Sequence, residues 1–364
     1  MHEADLINEL QTKGARLMDP GAGVESRRGG AGPSDHKAMT LGDHTVMVPV
    51  HTAPAFQSPY VIDATKGEAR VLRDGAEVGR ISFPARPRFY DLTTADGIPY
   101  SKIAVLHARD VLATTVLQTC IRYESRKKTC QFCAIGQSLA AGRTIAHKTP
   151  AQLAEVARAA VELDGVRHMV LTTGTPKGAD RGAQVLADSA RAIKAAVALP
   201  IQAQCEPPED DIWYQRMADA GVDALGMHLE AVTPDVRARI MPGKASVPIS
   251  KYLSGFEAAV KVFGRGQVST YILAGLGDSA EAILSMSEKL VAMGVYPFVV
   301  PFVPISGTPL ESHPAPTSDF MAAILSPLSR LILDAGMRAT DIKAGCGKCG
   351  ACSALSTYEK LRLA

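Results

Sequence analysis

Short apolar runs alternate with longer amphipathic segments through most of the chain. The runs are rich in β-branched residues and occupy residues 111–118, 168–174, 200–205, 223–231, 267–275 and 298–305. Between them, apolar residues recur at helical spacing, as at Leu153, Val156, Ala157 and Ala160. This pattern predicts an α/β fold in which parallel strands are joined by crossover helices. Because six repeats fall short of the eight of a closed TIM barrel, we predict a partial (β/α)6 TIM-like barrel with its site at the C-terminal strand ends.

The first part of the chain has a different pattern. It predicts one amphipathic helix near residues 3–16, a Gly-rich loop at residues 27–33, and extended runs at residues 45–50, 60–64, 68–72 and 77–83. We therefore divide the chain into three predicted parts. They are a small N-terminal α+β extension at 1–110, the partial barrel at 111–338, and a C-terminal Cys-rich segment at 339–364.

Composition and charge exclude several classes of protein. Of the 364 residues, 46% are hydrophobic, which argues against a disordered chain. Lys and Arg number 39 against 37 Asp and Glu, so no strong basic field favours nucleic-acid binding. No apolar run approaches the roughly 18 residues that span a bilayer, and the first residues lack the pattern of a signal peptide. We expect a cytoplasmic protein with neither nucleic acid nor membrane as a partner.

Seven cysteines are the most informative residues of the sequence. An odd number without a secretion signal argues against a disulfide framework. Six of them form two triplets, and Cys205 stands alone as either a small buried apolar residue or a remote metal ligand. The first triplet is Cys120, Cys130 and Cys133, and the second is Cys346, Cys349 and Cys352.

The first triplet lies after the first predicted barrel strand and has no histidine at ligand spacing. Three thiolates suit a soft metal centre, whereas a closed structural zinc site takes four ligands. A [4Fe–4S] cluster held by three cysteines keeps one iron free for a substrate or cofactor. A zinc knuckle or simply buried thiols are the alternative interpretations.

The sequence Cys130-Gln131-Phe132-Cys133, after a strand that ends near Cys120, resembles the cluster loop of the radical S-adenosylmethionine (SAM) superfamily. Nine residues separate Cys120 from Cys130, where three are usual in that superfamily. Further segments resemble the biotin synthase and lipoyl synthase branch in the same order along the chain. They are Leu171-Thr172-Thr173-Gly174-Thr175, Met227-His228-Leu229-Glu230-Ala231, Ile272-Leu273-Ala274-Gly275 and Pro304-Ile305-Ser306-Gly307.

This resemblance implies an enzyme with a [4Fe–4S] cluster on Cys120, Cys130 and Cys133 that cleaves SAM to a 5′-deoxyadenosyl radical. It implies that Thr173, Gly174, Glu230, Arg239 and Gly275 contact SAM. Glu206 ends one predicted strand and His228 lies in the next, and both are our candidates for catalytic groups. A structural carboxylate is the alternative interpretation of Glu230, and a core histidine is the alternative for His228.

The second triplet lies in Gly345-Cys346-Gly347-Lys348-Cys349-Gly350-Ala351-Cys352. This spacing resembles a bacterial ferredoxin motif without its fourth cysteine. We predict an auxiliary iron–sulfur cluster here, with structural zinc or redox-labile thiols as alternatives.

The long first loop, the segment Gln204-Cys205-Glu206-Pro207-Pro208 and the terminal cysteine motif together resemble a bacterial radical SAM family encoded beside nitrilase-superfamily genes. The resemblance implies hydrogen abstraction from a small nitrogen-containing metabolite, in nitrile- or cyanide-related metabolism. Sulfur insertion of the biotin synthase type and a non-catalytic zinc or iron–sulfur protein are the alternatives. Arg126, Lys127 and Lys128 are either solvated surface or a docking patch for an electron donor, flavodoxin or ferredoxin.

Overall fold

Two β-sheets organise the computed structural model, which describes residues 2–18, 35–64 and 69–363. The Gly-rich loop predicted at 27–33 lies outside these ranges. The first sheet contains β1 Arg16–Leu17, β2 His36–Leu41, β3 His44–Pro49, β4 Tyr60–Asp63, β5 Ala69–Arg73 and β6 Ala76–Ser82. The second contains β7 Val105–His107, β8 Val111–Thr115, β9 His168–Thr172, β10 Ile201–Gln204, β11 Ala224–Gly226, β12 Val268–Ala274 and β13 Val295–Pro301.

The helices lie mostly between the strands of the second sheet. They are α1 Glu3–Lys13, α2 Tyr100–Ile103, α3 Ile135–Ala140, α4 Pro150–Asp164, α5 Ala183–Ala196, α6 Ile212–Asp219, α7 Pro234–Ile240, α8 Ile249–Phe263, α9 Ala280–Ala292, α10 Ser318–Asp334, α11 Cys346–Cys349 and α12 Leu355–Leu363. Short 3-10 turns occupy Pro54–Gln57, Arg88–Asp91, Lys244–Ser246 and Ala339–Asp341.

The second sheet is a partial barrel. Its strand order is β13-β12-β11-β10-β9-β8-β7, so strands adjacent in the chain are adjacent in space. Strands β8 to β13 are parallel to their neighbours, and β7 pairs antiparallel with β8. Because β7 and β13 lie at the two edges, the barrel is open between them. The predicted partial (β/α)6 barrel is confirmed, with β7 as an additional strand from before residue 111.

Helix α4 illustrates how the sequence sets the elements of the barrel. Thr149 and Gln152 form a capping box at its start, and Gly165, in the left-handed conformation, ends it. Its buried face contains Leu153, Val156, Ala157 and Ala160, as the apolar spacing predicts.

Strand β11 is much shorter than the predicted run at 223–231. Regular pairing ends at Gly226, and the chain returns to the sheet only through an isolated bridge between Glu230 and Ile272. Glu230 has a φ of 65°, a left-handed conformation that costs a non-glycine residue on the order of 1 kcal/mol. The consequence is that a carboxylate lies at the mouth of the barrel where a regular strand would continue.

The N-terminal sheet and the C-terminal segment meet at the barrel. The backbone N–H of Met47 donates to the carbonyl of Ala351 at 2.8 Å, and the Gln11 amide donates to the same carbonyl at 3.0 Å. Helix α12 packs against α10, where Arg362 donates to the hydroxyl of Ser329. Residues distant in sequence therefore surround the second cysteine triplet.

Gly345 brings that triplet close to the inner face of the barrel. It has a φ of 110°, and a Cβ at this position would clash with the amide of Gln202 on β10. Its N–H donates to Nδ1 of His168 at 3.2 Å, and the N–H of Cys346 donates to the Gln202 side chain at 3.2 Å. Only glycine combines this conformation with such a close approach.

Within the described part of the chain, no helix is both long and apolar enough to cross a bilayer.

Candidate active site

The first cysteine triplet lies at the C-terminal ends of the barrel strands. Cys120, Cys130 and Cys133 line one cavity of about 210 Å³. Their loop is anchored by hydrogen bonds from Gln131 N–H to the carbonyl of Ile240 and from Gly243 N–H to the carbonyl of Lys128. The nine residues between Cys120 and Cys130 therefore do not keep the three thiols apart, because the loop folds back against the segment after α7.

Burial makes the thiolate forms of Cys130 and Cys133 costly. It raises the pKa of Cys130 well above its ordinary value, with the nearby carboxylate of Glu230 adding to the effect and Lys244 opposing it. It raises the pKa of Cys133 to about 12, again with Cys120 and Glu230 contributing. A positively charged iron–sulfur core is the kind of group that would compensate three clustered thiolates. The donor set therefore fits such a cluster.

A buried ion pair completes the same cavity. The Lys244 Nζ lies 2.7 Å from Glu230 Oε2, and the lysine is only 9% exposed. Burial alone lowers the pKa of Lys244, but the nearby acidic groups, with Glu230 contributing most, together raise it more, so the net shift is upward and the side chain stays charged. This ion pair thus places one positive and one negative group beside the thiols.

Glu206 lies in the wall of this cavity and is held by Arg122. The guanidinium donates from Nε to Oε1 at 3.1 Å and from Nη2 to Oε2 at 2.8 Å, and the Thr175 hydroxyl donates to Oε1 at 2.9 Å. Burial raises the pKa of Glu206. The hydrogen bonds and charge of Arg122, together with the charge of Lys244, lower it by more, so the net shift is downward. Arg122 also donates to the carbonyl of Gly243, which joins the cysteine loop to the segment that contains Lys244.

His228 follows β11 and lines both this cavity and a larger one. Its Nδ1 accepts the backbone N–H of Tyr271 at 3.2 Å. Burial lowers the pKa of His228 to about 3, and the charge of Lys244 lowers it further. A neutral imidazole that accepts at Nδ1 carries its proton on Nε2, so His228 is a hydrogen-bond donor at that atom.

Thr173 and Gly174 also line both cavities. Gly174 N–H donates to the carbonyl of Leu117 at 2.9 Å, and a Cβ at Gly174 would clash with the carbonyl of Thr119. A glycine is therefore required where the chain after β9 passes the start of the cysteine loop.

Arg239 and Gly275, two further predicted contacts, do not line either of these cavities. The Arg239 guanidinium donates to the carbonyl of Leu276 at 3.0 Å. Gly275 packs against Pro316, and its carbonyl lies 2.9 Å from Nε2 of His313. Lys244, which the sequence analysis missed, supplies the cation beside the thiols. A single lysine after a Pro-Gly turn carries no periodic signal that would have identified it.

The larger cavity, of about 390 Å³, extends from the first triplet to the second. Cys133 lines one part of it and Cys346 and Cys352 line another. Side chains from the barrel strands lie between, including Thr172, Gln204, His228 and Tyr271. The N-terminal extension contributes further lining residues, which are Gln11, His36 and Met47.

Uncharged side chains approach the sulfurs of the second triplet, although the charge of Asp110 also acts on Cys349 and raises its pKa. Cys346 Sγ accepts from the Gln204 amide at 3.3 Å, and Cys352 Sγ lies 3.9 Å from Nε2 of His107. Cys346 and Cys349 pack against Val111, Ala113 and Val170. Burial raises the pKa of Cys346, and burial together with the charge of Cys352 raises the pKa of Cys349 well above its ordinary value. These buried thiols also fit a metal cluster.

Cys205 does not accompany the second triplet. It lies at the first cavity, follows β10 and packs in the main core. Burial raises its pKa to about 12, with Glu206 and Asp180 adding to the effect. Of the two interpretations of Cys205, the buried apolar one agrees with its surroundings. Among the described residues, no group of three or more His, Cys, Asp or Glu side chains is arranged to hold a single metal ion.

Comparison with known proteins defines the class. Residues 126–290 match the family model of the Radical SAM superfamily. The chain therefore contains a Radical SAM domain, and enzymes of that superfamily use a [4Fe–4S] cluster and SAM. The matched segment includes Cys130 and Cys133 and begins after Cys120.

Individual relatives are more distant. The chain is 26% identical over 337 residues to bacteriochlorophyllide c C-7(1)-hydroxylase of Chlorobaculum limnaeum, covering 84% of this chain and 80% of that protein. It is 25% identical over 125 residues to a probable dual-specificity RNA methyltransferase of Moorella thermoacetica, covering 34% and 35%. The crystal structure of methylornithine synthase superposes with a TM-score of 0.49 at 18% identity, covering 68% of each chain.

Proposed function

We propose that this protein is a radical SAM enzyme in which Cys120, Cys130 and Cys133 hold the SAM-binding [4Fe–4S] cluster. When bound and reduced, the cluster and SAM supply a 5′-deoxyadenosyl radical that abstracts hydrogen from a substrate. The proposal is supported by three cysteine thiols that line one cavity at the C-terminal strand ends. The protein itself contributes the binding groups, their orientation and the exclusion of water.

The amino-acid part of SAM carries an ammonium and a carboxylate. We assign Glu230 to the ammonium and Lys244 to the carboxylate, because the two side chains form an ion pair of 2.7 Å beside the thiols. A zwitterion can replace such a pair without leaving either buried charge uncompensated. Thr173 and Gly174 line the same cavity and offer backbone groups. In this proposal Lys244, rather than Arg239, is the positively charged residue that contacts SAM.

The larger cavity is our candidate for the substrate site. At about 390 Å³ it has the size of a small-molecule site, with a few polar groups in an otherwise apolar wall. His228 offers a neutral N–H donor at Nε2, which suits the lone pair of a nitrile or amine nitrogen. We assign Glu206 to holding Arg122 and the cysteine loop, because its carboxylate already accepts three hydrogen bonds.

We assign a second iron–sulfur cluster to Cys346, Cys349 and Cys352, at the other side of the same cavity. The proposal rests above all on one observation, that a single cavity is lined by Cys133 of the first triplet and by Cys346 and Cys352 of the second. A small nitrogen-containing substrate between them would meet the radical from one side and a redox centre from the other. Nitrile- or cyanide-related metabolism is the context we favour, from the resemblance of the motifs.

Electrons for the first cluster need an external donor. Arg126, Lys127 and Lys128 are exposed and lie within the first cysteine loop. We propose that this patch docks the acidic surface of a flavodoxin or ferredoxin, since complementary charge accelerates such encounters.

The test is anaerobic reconstitution with iron and sulfide, followed by metal analysis and incubation with SAM and dithionite. We expect iron at both sites and 5′-deoxyadenosine as a product. Cys120→Ala should abolish that product, whereas Cys349→Ala should retain SAM cleavage. Cys205→Ala removes a thiol outside both triplets and should keep the full iron content.

A panel of deuterated nitriles, amines and amino acids then identifies the substrate class, because hydrogen abstraction moves deuterium into 5′-deoxyadenosine. A protein that binds only zinc and never cleaves SAM would refute the proposal. Destruction of the second cluster with each turnover would instead support sulfur insertion.

A further inference from the structure

The second triplet supplies three thiols, one fewer than the four irons of a cubane cluster. The residues around it decide whether the fourth iron is open to substrate or closed by the protein. Three polar side chains lie near its sulfurs: Gln204, Tyr271 and His107.

Gln204 and Tyr271 approach the sulfurs as hydrogen-bond donors. The Gln204 amide nitrogen donates to Cys346 Sγ at 3.3 Å and to the side-chain oxygen of Gln202 at 2.8 Å. The Tyr271 hydroxyl is hydrogen-bonded to the thiols of Cys352 and Cys346, and burial raises its pKa well above its ordinary value. An amide nitrogen and a protonated phenol bind iron poorly, so both are suited to donating to cluster sulfur.

His107 is different because its imidazole is a good ligand for iron. It is the last residue of β7, is 9% exposed, and lies in register with Val111 of β8. Its Nε2 lies 3.9 Å from Cys352 Sγ, and it lines the same cavity as Cys346 and Cys352. Val111 also packs against Cys346 and Cys349, so β7 and β8 together bring the imidazole to the triplet.

We propose that His107 is the fourth protein ligand of the second cluster, so that Cys346, Cys349, Cys352 and His107 form a closed Cys3His set. This inference rests on the second cluster proposed above. It deepens that proposal, because a cluster with four protein ligands has no iron open to a substrate. The second cluster then serves electron transfer, and the cavity contains one open iron, at the first triplet.

The surroundings agree with a closed cluster. Two ion pairs, Lys244 with Glu230 and Arg122 with Glu206, lie at the first triplet. The second triplet is instead covered by Ala351 and Met47 and by apolar residues of β8 and β9. A zwitterionic or anionic ligand would find no ion pair to exchange with at the residues named around this triplet.

The experiment uses the full-length chain with Cys120, Cys130 and Cys133 all changed to Ala, which isolates the second site. After anaerobic reconstitution and reduction, pulsed EPR measures hyperfine coupling between the cluster spin and nearby nitrogen. We expect a strong coupling to nitrogen, and the signal should change from that of ¹⁴N to that of ¹⁵N when the protein is grown with ¹⁵N-histidine. This labelling separates imidazole from amide nitrogen and needs no variant at His107.

Variants at His107 then identify the residue. In this background His107→Ala and His107→Cys should each lose the histidine coupling, and His107→Cys should lower the midpoint potential, since thiolate replaces imidazole. The matched control is His168→Asn, which changes a second histidine beside the triplet while keeping an acceptor for Gly345 N–H. We expect it to retain the coupling.

A reconstituted second cluster without histidine coupling, or with coupling that persists in His107→Ala, would overturn this inference and leave the second cluster in place. Zinc or no metal at all in the triple-alanine protein would overturn the second cluster itself, and the ligand assignment with it.

Discussion

The two cysteine triplets use the same residue type in opposite environments. The first lies on a long loop at the C-terminal strand ends and is surrounded by two buried ion pairs, Lys244 with Glu230 and Arg122 with Glu206. The second lies in a short segment against the inner face of the barrel, among an amide, a phenol, an imidazole and apolar side chains. Because both sites have three thiols, the residues that surround the thiols must determine what each site can bind.

The largest expected effect tests the charged environment of the first triplet. Lys244→Ala removes the cation of a buried pair and leaves the carboxylate of Glu230 without its partner. We expect a loss of about 3–5 kcal/mol in the free energy of unfolding, together with strongly weakened SAM binding. Urea denaturation and equilibrium SAM binding measure the two effects.

The matched control is Lys251→Ala on α8, whose ion pair with Asp211 is partly exposed. Its unfolding free energy should change by no more than about 1 kcal/mol. Equal effects of the two substitutions on stability and SAM binding would contradict the role assigned to Lys244.

A smaller effect separates the second triplet from the first. Gly345→Ala places a Cβ against the Gln202 amide at a φ of 110°, so the second cysteine segment must shift. We expect loss of iron from the second site, continued SAM cleavage at the first, and a destabilisation about 1–3 kcal/mol larger than that of the control.

The control is Gly336→Ala, which has a comparable left-handed φ of 71° but open space around its Cβ. Both substitutions carry a conformational cost, which the ψ of −169° makes large at Gly345, and only Gly345→Ala also carries the clash. We expect Gly336→Ala to keep its iron at the second site. If Gly345→Ala keeps it as well, the close approach of Gly345 to Gln202 is not required for that site.

Sequence patterns predicted the order of the barrel strands well because β8 to β12 each lie within a predicted apolar run. They predicted β11 poorly, since the left-handed Glu230 interrupts regular pairing in a way that composition does not reveal. The cysteines of both sites were identifiable because soft-metal ligands at short spacing are rare by chance.

The partners of those cysteines were harder to predict. Lys244 lies beside the first triplet and His107 beside the second only in the folded chain, and neither residue belongs to a recognisable sequence motif. The family resemblance implied that Arg239 contacts SAM, but its guanidinium donates to the carbonyl of Leu276. Gln11, His36 and Met47 reach the larger cavity from the opposite end of the sequence to Cys346 and Cys352.

We expect the smallest effect, on the midpoint potential of the second cluster, from the phenol beside the second triplet. Tyr271→Phe removes a hydroxyl that is hydrogen-bonded to the cysteine sulfurs. Since hydrogen bonds to sulfur raise the potential of an iron–sulfur cluster, the midpoint potential of the second cluster should fall. Redox titration followed by EPR measures it.

Tyr214→Phe is the matched control, because its buried hydroxyl contacts the sulfur of Met227 instead of a triplet cysteine. It should leave the potential of the second cluster unchanged. An unchanged potential in Tyr271→Phe would show that the phenol does not interact with the second cluster.

The central claim is that the first triplet leaves one iron free for SAM while the second does not. Pulsed EPR of the reduced, reconstituted protein with SAM labelled by ¹⁵N at its amino group and ¹⁷O at its carboxylate tests this directly. We expect coupling to both labels in the wild type and in Cys349→Ala, and neither coupling in Cys120→Ala. Coupling that survives Cys120→Ala but disappears in Cys349→Ala would contradict the account.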